Sequence, residues 1–220
     1  MKNKLFYRIL TSFFLFIVVY LIFISNIFSI LFLTIIFIIS LYEFYQMFHL
    51  IKKNLKLTYQ SFVFCNILSF FYLFFSIMIV YSSLIDEKND KVLILFILAV
   101  CILNDIGGIL FGKLIGGKKL TKISPNKTLS GSIGGIILSF LFLFIFVNYI
   151  NNYSLLELSI IVIVTSLFSQ IGDLVVSFFK RKAKIKDTGN ILPGHGGMLD
   201  RIDGILLGLP IGIIILNLIS

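Results

Sequence analysis

Charge is what this 220-residue chain lacks most. Charged side chains make up 13% of it, against about 25% in an ordinary soluble domain. With 59% hydrophobic residues and a mean hydropathy of +1.07, that scarcity excludes a soluble globular fold and predicts an integral membrane protein. The apolar runs are continuous and do not alternate, which excludes a β-barrel. Acids are outnumbered by bases, 10 to 19, for a net charge of +9. The bases cluster in loops, a pattern that suits membrane topology and phosphate ligands rather than nucleic acid. Cysteine is almost absent. Cys65 and Cys101 both sit inside apolar runs and read as small core residues, not a disulfide. His195 has no second histidine or cysteine nearby, so a zinc site is not expected. No internal repeat stands out. The first apolar run follows a basic start but has no small-residue cleavage site, so it reads as a retained anchor.

What is present is a series of apolar runs, each near the roughly 20 residues that cross a bilayer. Seven can be marked: 5–24, 27–48, 60–81, 92–111, 132–150, 155–179 and 204–219. They predict an all-α, polytopic helical bundle of about seven transmembrane helices. Only Ser25 and Asn26 separate the first two runs, and the last is short for a full crossing. The chain divides into an N-terminal part, 1–91, holding three spans, and a C-terminal part, 92–220, holding four spans with the loops 112–131 and 180–203.

The bases test this count. Lys2, Lys4 and Arg8 precede the first span, and Lys52, Lys53 and Lys56 follow the second. The 112–131 loop carries five more and the 180–203 loop six. Alternating sides puts seventeen of the nineteen on one face, leaving Lys88 and Lys91 on the other. The positive-inside rule then places the N-terminus and the three basic loops in the cytoplasm, and the C-terminus outside.

Acids inside spans cost about 2.5–3.5 kcal/mol on insertion scales and mark function by default. Asp105 follows the apolar run 92–103. Asp173 lies about two helical turns before Lys180, near the depth of a lipid headgroup. Glu43, alone in the second run, reads as snorkelling or pairing with Lys52 or Lys53. Asp200 and Asp203 are three apart and, if helical, share a face. Carboxylates so placed suit a hard divalent cation such as Mg²⁺, while a helix N-terminus alone would account for one of them.

The stretch from Ser177 to Asp203 is the densest polar segment between spans. Its PGHGG run, Pro193–Gly197, cannot be helix interior. Glycine there allows positive φ and close backbone approach, the means of building amide cradles for anions. The second loop carries Lys113, Ser124, Lys127 and Thr128 around a proline turn. It contains no G-x-x-x-x-G-K-[ST] pattern, so it is not a Walker A loop. Taken alone it reads equally as a basic inner loop for anionic lipid headgroups.

Together these residues resemble the phosphatidate cytidylyltransferase (CDP-diacylglycerol synthase) family. Its signature S-x-x-K-R-x-x-x-x-K-D-x-G-x-x-[LI]-P-G-H-G-G-x-x-D-R-x-D is filled at Ser177, Lys180, Arg181, Lys186, Asp187, Gly189, Pro193, Gly194, His195, Gly196, Gly197, Asp200, Arg201 and Asp203. Gly172-Asp173, Asn104-Asp105, Phe111-Gly112-Lys113, Ser124-Pro125, Lys127-Thr128 and Gly134-Gly135 also match. The match covers about the C-terminal half. Leu129 and Ser130 depart from the family's aromatic and acid or amide, Ile106 from its small residue, and the chain is shorter than many members. These departures touch the nucleotide pocket and not the metal site.

The resemblance implies transfer of CMP from CTP to phosphatidic acid, giving CDP-diacylglycerol and pyrophosphate, at the cytoplasmic face of a bacterial cell membrane. It implies Mg²⁺, with a second cation allowed, on Asp173 and Asp200, with Asp203 in support. Lys180, Arg181, Lys186, Arg201 and Lys127 are expected on phosphates, Arg favouring bidentate contacts. Asp187 and His195 complete the expected catalytic set, His195 as a group that orients a phosphate. Asp105, Lys113, Ser124, Thr128, Ser177, Gly194, Gly196 and Gly197 are the expected substrate-binding positions. CTP and phosphatidic acid are the expected partners, nucleic acid is not, and a homodimer is compatible with a sequence that leaves oligomeric state open. A lateral opening between spans would admit the lipid. Competing readings are a CDP-archaeol synthase or polyprenol kinase type of enzyme, a cation-coupled transporter using Asp105 and Asp173, and a non-catalytic scaffold.

Overall fold

The computed structural model describes residues 2–86, 91–121, 124, 127–147, 153–194 and 196–219. Among the described residues are eight helices: α1 (Lys2–Ile24), α2 (Asn26–Leu55), α3 (Tyr59–Ile85), α4 (Lys91–Leu114), α5 (Leu129–Phe146), α6 (Leu155–Ala183), α7 (Leu199–Ile202) and α8 (Ile205–Ile219). Among the described residues, two isolated β-bridges are the remaining regular structure. Helices α2 to α6, and the run Leu199–Ile219, are each long and apolar enough to cross a membrane, and Ile9–Ile24 of α1 is a shorter apolar stretch. The protein is therefore a multi-pass helical membrane protein, as expected.

Local chemistry sets the helix ends. Ser25 alone separates α1 from α2, in an extended conformation (φ −135°, ψ 129°). The Ser29 hydroxyl donates to the Ile22 carbonyl at 2.6 Å, satisfying an orphan acceptor at the end of α1. Helix α5 starts at Thr128, whose hydroxyl accepts from Gly131 N–H at 3.1 Å. Helix α6 starts with a reciprocal capping box: Ser154 N–H donates to Glu157 Oε2 at 2.7 Å, and Glu157 N–H to Ser154 Oγ at 3.3 Å.

Helices α2 and α6 both run past the expected span ends, 48 and 179. Lysine and arginine are good helix formers, so the backbone continues beyond the apolar stretch. Both close with a lysine in left-handed geometry, Lys56 (φ 49°) and Lys184 (φ 60°). The following amides, Leu57 and Ile185, reach back to the Lys52 and Lys180 carbonyls at 3.2 and 3.0 Å. Asn54 ties the two ends together by donating to the Ala183 carbonyl at 2.8 Å. Of the expected span 132–150, the end at 148–150 lies outside the described residues.

The fold divides into two compact units. The first is Met1–Ile85 with Phe179–Ile202, and the second is Asp86–Phe178 with Asp203–Ser220. In the first, α2 packs against α1 and α3. Phe48 meets Phe179 edge to face, with ring centroids 5.2 Å apart.

In the second unit, α4 packs against α5 and α8. Lipid tails give helices no hydrophobic reason to associate, so small residues that admit close backbone approach do the work. A Cβ on Gly135 would sit 2.5 Å from the Asn104 carbonyl oxygen, and one on Gly107 would sit 2.8 Å from Gly135 Cα. Helix α8 is equally close to α6: a Cβ on Gly172 would lie 2.6 Å from the Asp203 carbonyl, and one on Gly208 2.9 Å from Ser169 Cβ. Asn104 accepts from Gln170 Nε2 at 2.9 Å and donates to the Ser166 carbonyl at 3.3 Å. Gln170 also donates to the Ser132 carbonyl at 3.0 Å.

This packing predicts a contrast between two single methyl additions. At Gly135 the nearest neighbour is a backbone carbonyl that cannot yield, so Gly135→Ala should cost at least the roughly 1–3 kcal/mol of overpacking. At Gly108 the nearest atom to an added Cβ is 3.8 Å away. Gly108→Ala should therefore be neutral or mildly stabilising, through helix propensity. Thermal unfolding of both variants in detergent checks this.

Candidate active site

The polar segment after α6 folds around two carboxylates of the first unit. Asp200 Oδ2 accepts from the Thr188 N–H at 2.7 Å, the Gly197 N–H at 3.0 Å and the Thr188 hydroxyl at 3.1 Å. Its Oδ1 takes the Lys180 ammonium at 2.8 Å. The two side chains are 14% and 7% exposed, so the pair is largely desolvated. Gly194 (φ 78°) and Gly196 (φ 86°) supply the left-handed turns that fold the segment back, closed by Leu192 N–H on the Gly196 carbonyl at 2.9 Å.

The second carboxylate is Glu43 of α2, which is fully buried. Oε1 accepts from Met198 N–H at 2.8 Å, and Oε2 from Leu199 N–H at 2.9 Å and the Thr188 hydroxyl at 2.7 Å. Gly197 lies so close that an added Cβ would meet Glu43 Oε2 at 2.6 Å and Oε1 at 2.7 Å. The expectation for Glu43, snorkelling or pairing with Lys52 or Lys53, is corrected here. Lys52 lies instead over the Tyr59 and Phe62 rings, 4.9 and 5.2 Å from their centroids. Sequence reasoning missed Glu43 because its donors stand some 150 positions away. The available signal was the same one that singled out Asp105 and Asp173, an acid in an apolar run.

The Gly197 amide of PGHGG joins a set of amides that the protein's own carboxylates occupy. The amides of Thr188, Gly197, Met198 and Leu199 are given to Asp200 and Glu43. Around it, Arg181, Lys186, Asp187, Gly194 and Arg201 are exposed. His195 lies outside the described residues.

In the second unit, Asp173 of α6 pairs with Lys127, which precedes α5. Ser177, one helical turn on, donates its buried hydroxyl to Asp173 Oδ1 at 3.1 Å. The Asp105 carboxyl of α4 lies within Coulomb range of both Asp173 and Lys127. The loop holding Lys127 is shaped by Leu120 N–H on the Lys127 carbonyl at 2.8 Å and Leu129 N–H on the Lys118 carbonyl at 3.0 Å. Ser124 is buried, and its carbonyl accepts from Lys127 N–H at 3.0 Å. Thr128 is committed to the α5 cap, and Lys113 is exposed in the last turn of α4. Pro125 lies outside the described residues. Helix α7 ends at Ile202, so Asp203 is not on a helical face with Asp200. Asp203 is buried in the turn before α8, and its Oδ1 accepts from Gly204 N–H at 2.9 Å.

Fold and side chains together define a polytopic membrane protein that holds carboxylate–ammonium pairs at the ends of its spans. Residues 49–219 match the model of the cytidylyltransferase family. The phosphatidate cytidylyltransferase of Staphylococcus saprophyticus is 42% identical over 165 residues, 73% of this chain and 61% of that protein. That of Staphylococcus haemolyticus is 39% identical over 163 residues, with the same coverage. That of Staphylococcus aureus is 47% identical over 123 residues, 54% of this chain and 46% of that protein. The chain belongs to the cytidylyltransferase family, and it spans about 61% of the length of the first two of these relatives.

Breaking a buried pair by removing one partner is costly, because it strands the other charge. Lys180→Met should destabilise the protein by about 3 kcal/mol, the low end of that range, since Asp200 keeps its amide donors. The double variant Lys180→Met/Asp200→Asn should recover part of the loss. Chemical denaturation in micelles of the single and double variants measures both effects.

Proposed function

We propose that the protein transfers CMP from CTP to phosphatidic acid at the cytoplasmic face of a cell membrane, releasing pyrophosphate. An oxygen of the lipid phosphate attacks the α-phosphorus of CTP, and the bond from that phosphorus to the β-phosphate oxygen breaks. A phosphate monoester is already ionised near neutral pH, so no strong general base is required. Little covalent chemistry falls to the protein, and its task is to hold two anions in line and neutralise their charge. The reading is carried by the Asp200–Lys180 pair, held by the amides of the segment that fills the family signature, in a chain otherwise poor in charge. The relatives described above carry the name of the same reaction.

Lys180, Arg181, Lys186, Arg201 and Lys127 serve the phosphates, as the resemblance implies. Asp187 and His195 stay in the catalytic set as the resemblance implies. Asp105, Lys113, Ser124, Thr128, Ser177, Gly194, Gly196 and Gly197 line the substrates, Ser177 and Gly197 by orienting carboxylates.

Mg²⁺ fits the donor set. It usually takes one or two protein carboxylates and draws its other ligands from water and phosphate. Among the described residues, no three His, Cys, Asp or Glu side chains gather as an all-protein cage. Asp173 and Asp200 each present an oxygen already stabilising a lysine ammonium, a place where positive charge is held. The cation, when bound, supplies further charge neutralisation for the phosphates.

The charge asymmetry of the loops supports a cytoplasmic N-terminus and an external C-terminus. A reporter fused after Ser220 should be active only as an external one, and cytoplasmic activity would overturn that orientation. Purified protein with labelled CTP, phosphatidic acid and Mg²⁺ should give labelled CDP-diacylglycerol. Asp173→Asn should lower kcat at least about 100-fold, or about 2.7 kcal/mol of barrier. No labelled lipid across a range of metals and detergents would end the enzymatic reading.

A further inference from the structure

Glu43 lies outside the residues that match the family model, 49–219, yet the signature segment is built on it. A carboxylate buried without donors is strongly disfavoured and must find partners. Among the described residues, Glu43 takes its partners from that segment: the amides of Met198 and Leu199, immediately before Asp200, and the hydroxyl of Thr188. Thr188 is the link. Its hydroxyl has one proton and lies 2.7 Å from Glu43 Oε2 and 3.1 Å from Asp200 Oδ2. Its own N–H is a donor to Asp200. The other oxygen of Asp200 holds Lys180. Gly189 and Gly197 press against the Glu43 carboxylate with no room for a methyl group.

We propose that Glu43 is a positioning residue for cytidylyl transfer, fixing the orientation of the Asp200 carboxylate through Thr188 and the 197–199 backbone. This rests on the function proposed above. Glu43 touches no reacting group itself. Asp200 can keep one carboxylate oxygen facing Lys180 only while the amides of Thr188 and Gly197 stay on the other, and Glu43 holds both ends of the segment that supplies those amides. Gln at position 43 keeps the volume, but its NH₂ cannot accept the amide that Oε1 or Oε2 now receives.

The test uses the full chain in nanodiscs, with Glu43→Gln, Glu43→Asp, Thr188→Val and the double variant Glu43→Gln/Thr188→Val. Folded Glu43→Gln should lose about tenfold or more in kcat, with KM for phosphatidic acid unchanged. Amide exchange at Thr188 and Gly197, the donors to Asp200, should quicken by a similar factor. Glu43→Asp should recover part of both. Because the two residues act as one relay, the double variant should be no slower than the worse single variant within about threefold. A purely structural role predicts less folded protein but an unchanged kcat per folded molecule. Wild-type kcat in folded Glu43→Gln, unaltered exchange at Thr188 and Gly197, or losses that multiply would each overturn the proposal. Where Glu43→Gln yields no folded protein, Thr188→Val carries the same readouts with Glu43 still in place. If the wild-type protein transfers no cytidylyl group, the proposed reaction falls, and the exchange rates alone then decide whether Glu43 governs the seating of Asp200.

Discussion

A carboxylate with no water around it must be surrounded by hydrogen-bond donors. That constraint, met at Glu43, gives the segment after α6 its shape. Hydrogen bonds to a charged group are worth about 1.5–3 kcal/mol each, and Glu43 accepts three. They bring a length of irregular backbone onto the side of a transmembrane helix. Irregular backbone can be buried only where protein satisfies its polar groups. The carboxylates of Glu43 and Asp200 do so, and the turns at Gly194 and Gly196 let the amides reach them.

The second unit solves the same problem by a different route. It keeps polar groups few and lets small residues close the distance between helices. Gly107 and Gly135 put α4 against α5, and Gly172 and Gly208 put α6 against α8. Asn104 and Gln170 satisfy one another and nearby carbonyls. Within that packed frame Asp173, Lys127, Ser177 and Asp105 form one polar cluster, drawn from two helices and a loop. The two basic loops differ in what holds them: the one before α5 is tied by backbone bonds, and the one after α6 by buried carboxylates.

The helices were legible because hydropathy records lipid thickness directly, and the runs 5–24 through 204–219 each correspond to a helix. Their ends were less so. Hydropathy falls at Lys52 and Lys180, but nothing in a lysine stops a helix, so α2 and α6 continue until a left-handed residue turns the chain. The residues that carry charge in the family signature could be named from the sequence. The particular partners could not. Lys180 with Asp200 and Lys127 with Asp173 are choices made by tertiary packing. Glu43 was hidden most completely, because an isolated acid in an apolar run looks the same whether it faces headgroups or a distant loop. Asp200 and Asp203 show the opposite failure: their spacing suits a helix, but a turn at Asp203–Gly204 intervenes.

The crowding of Gly189 and Gly197 against Glu43 links positions far apart in the chain. No side chain larger than hydrogen fits at either glycine while that acid is in place, and replacing the acid by an apolar residue leaves backbone amides without an acceptor. Divergence at these sites must therefore be concerted. A lineage that exchanged the acid for an apolar residue would release both glycines from constraint and would need a new acceptor in the same generation. Substitutions at position 43 and within 188–199 should accordingly appear together in inherited sequences, as correlated columns.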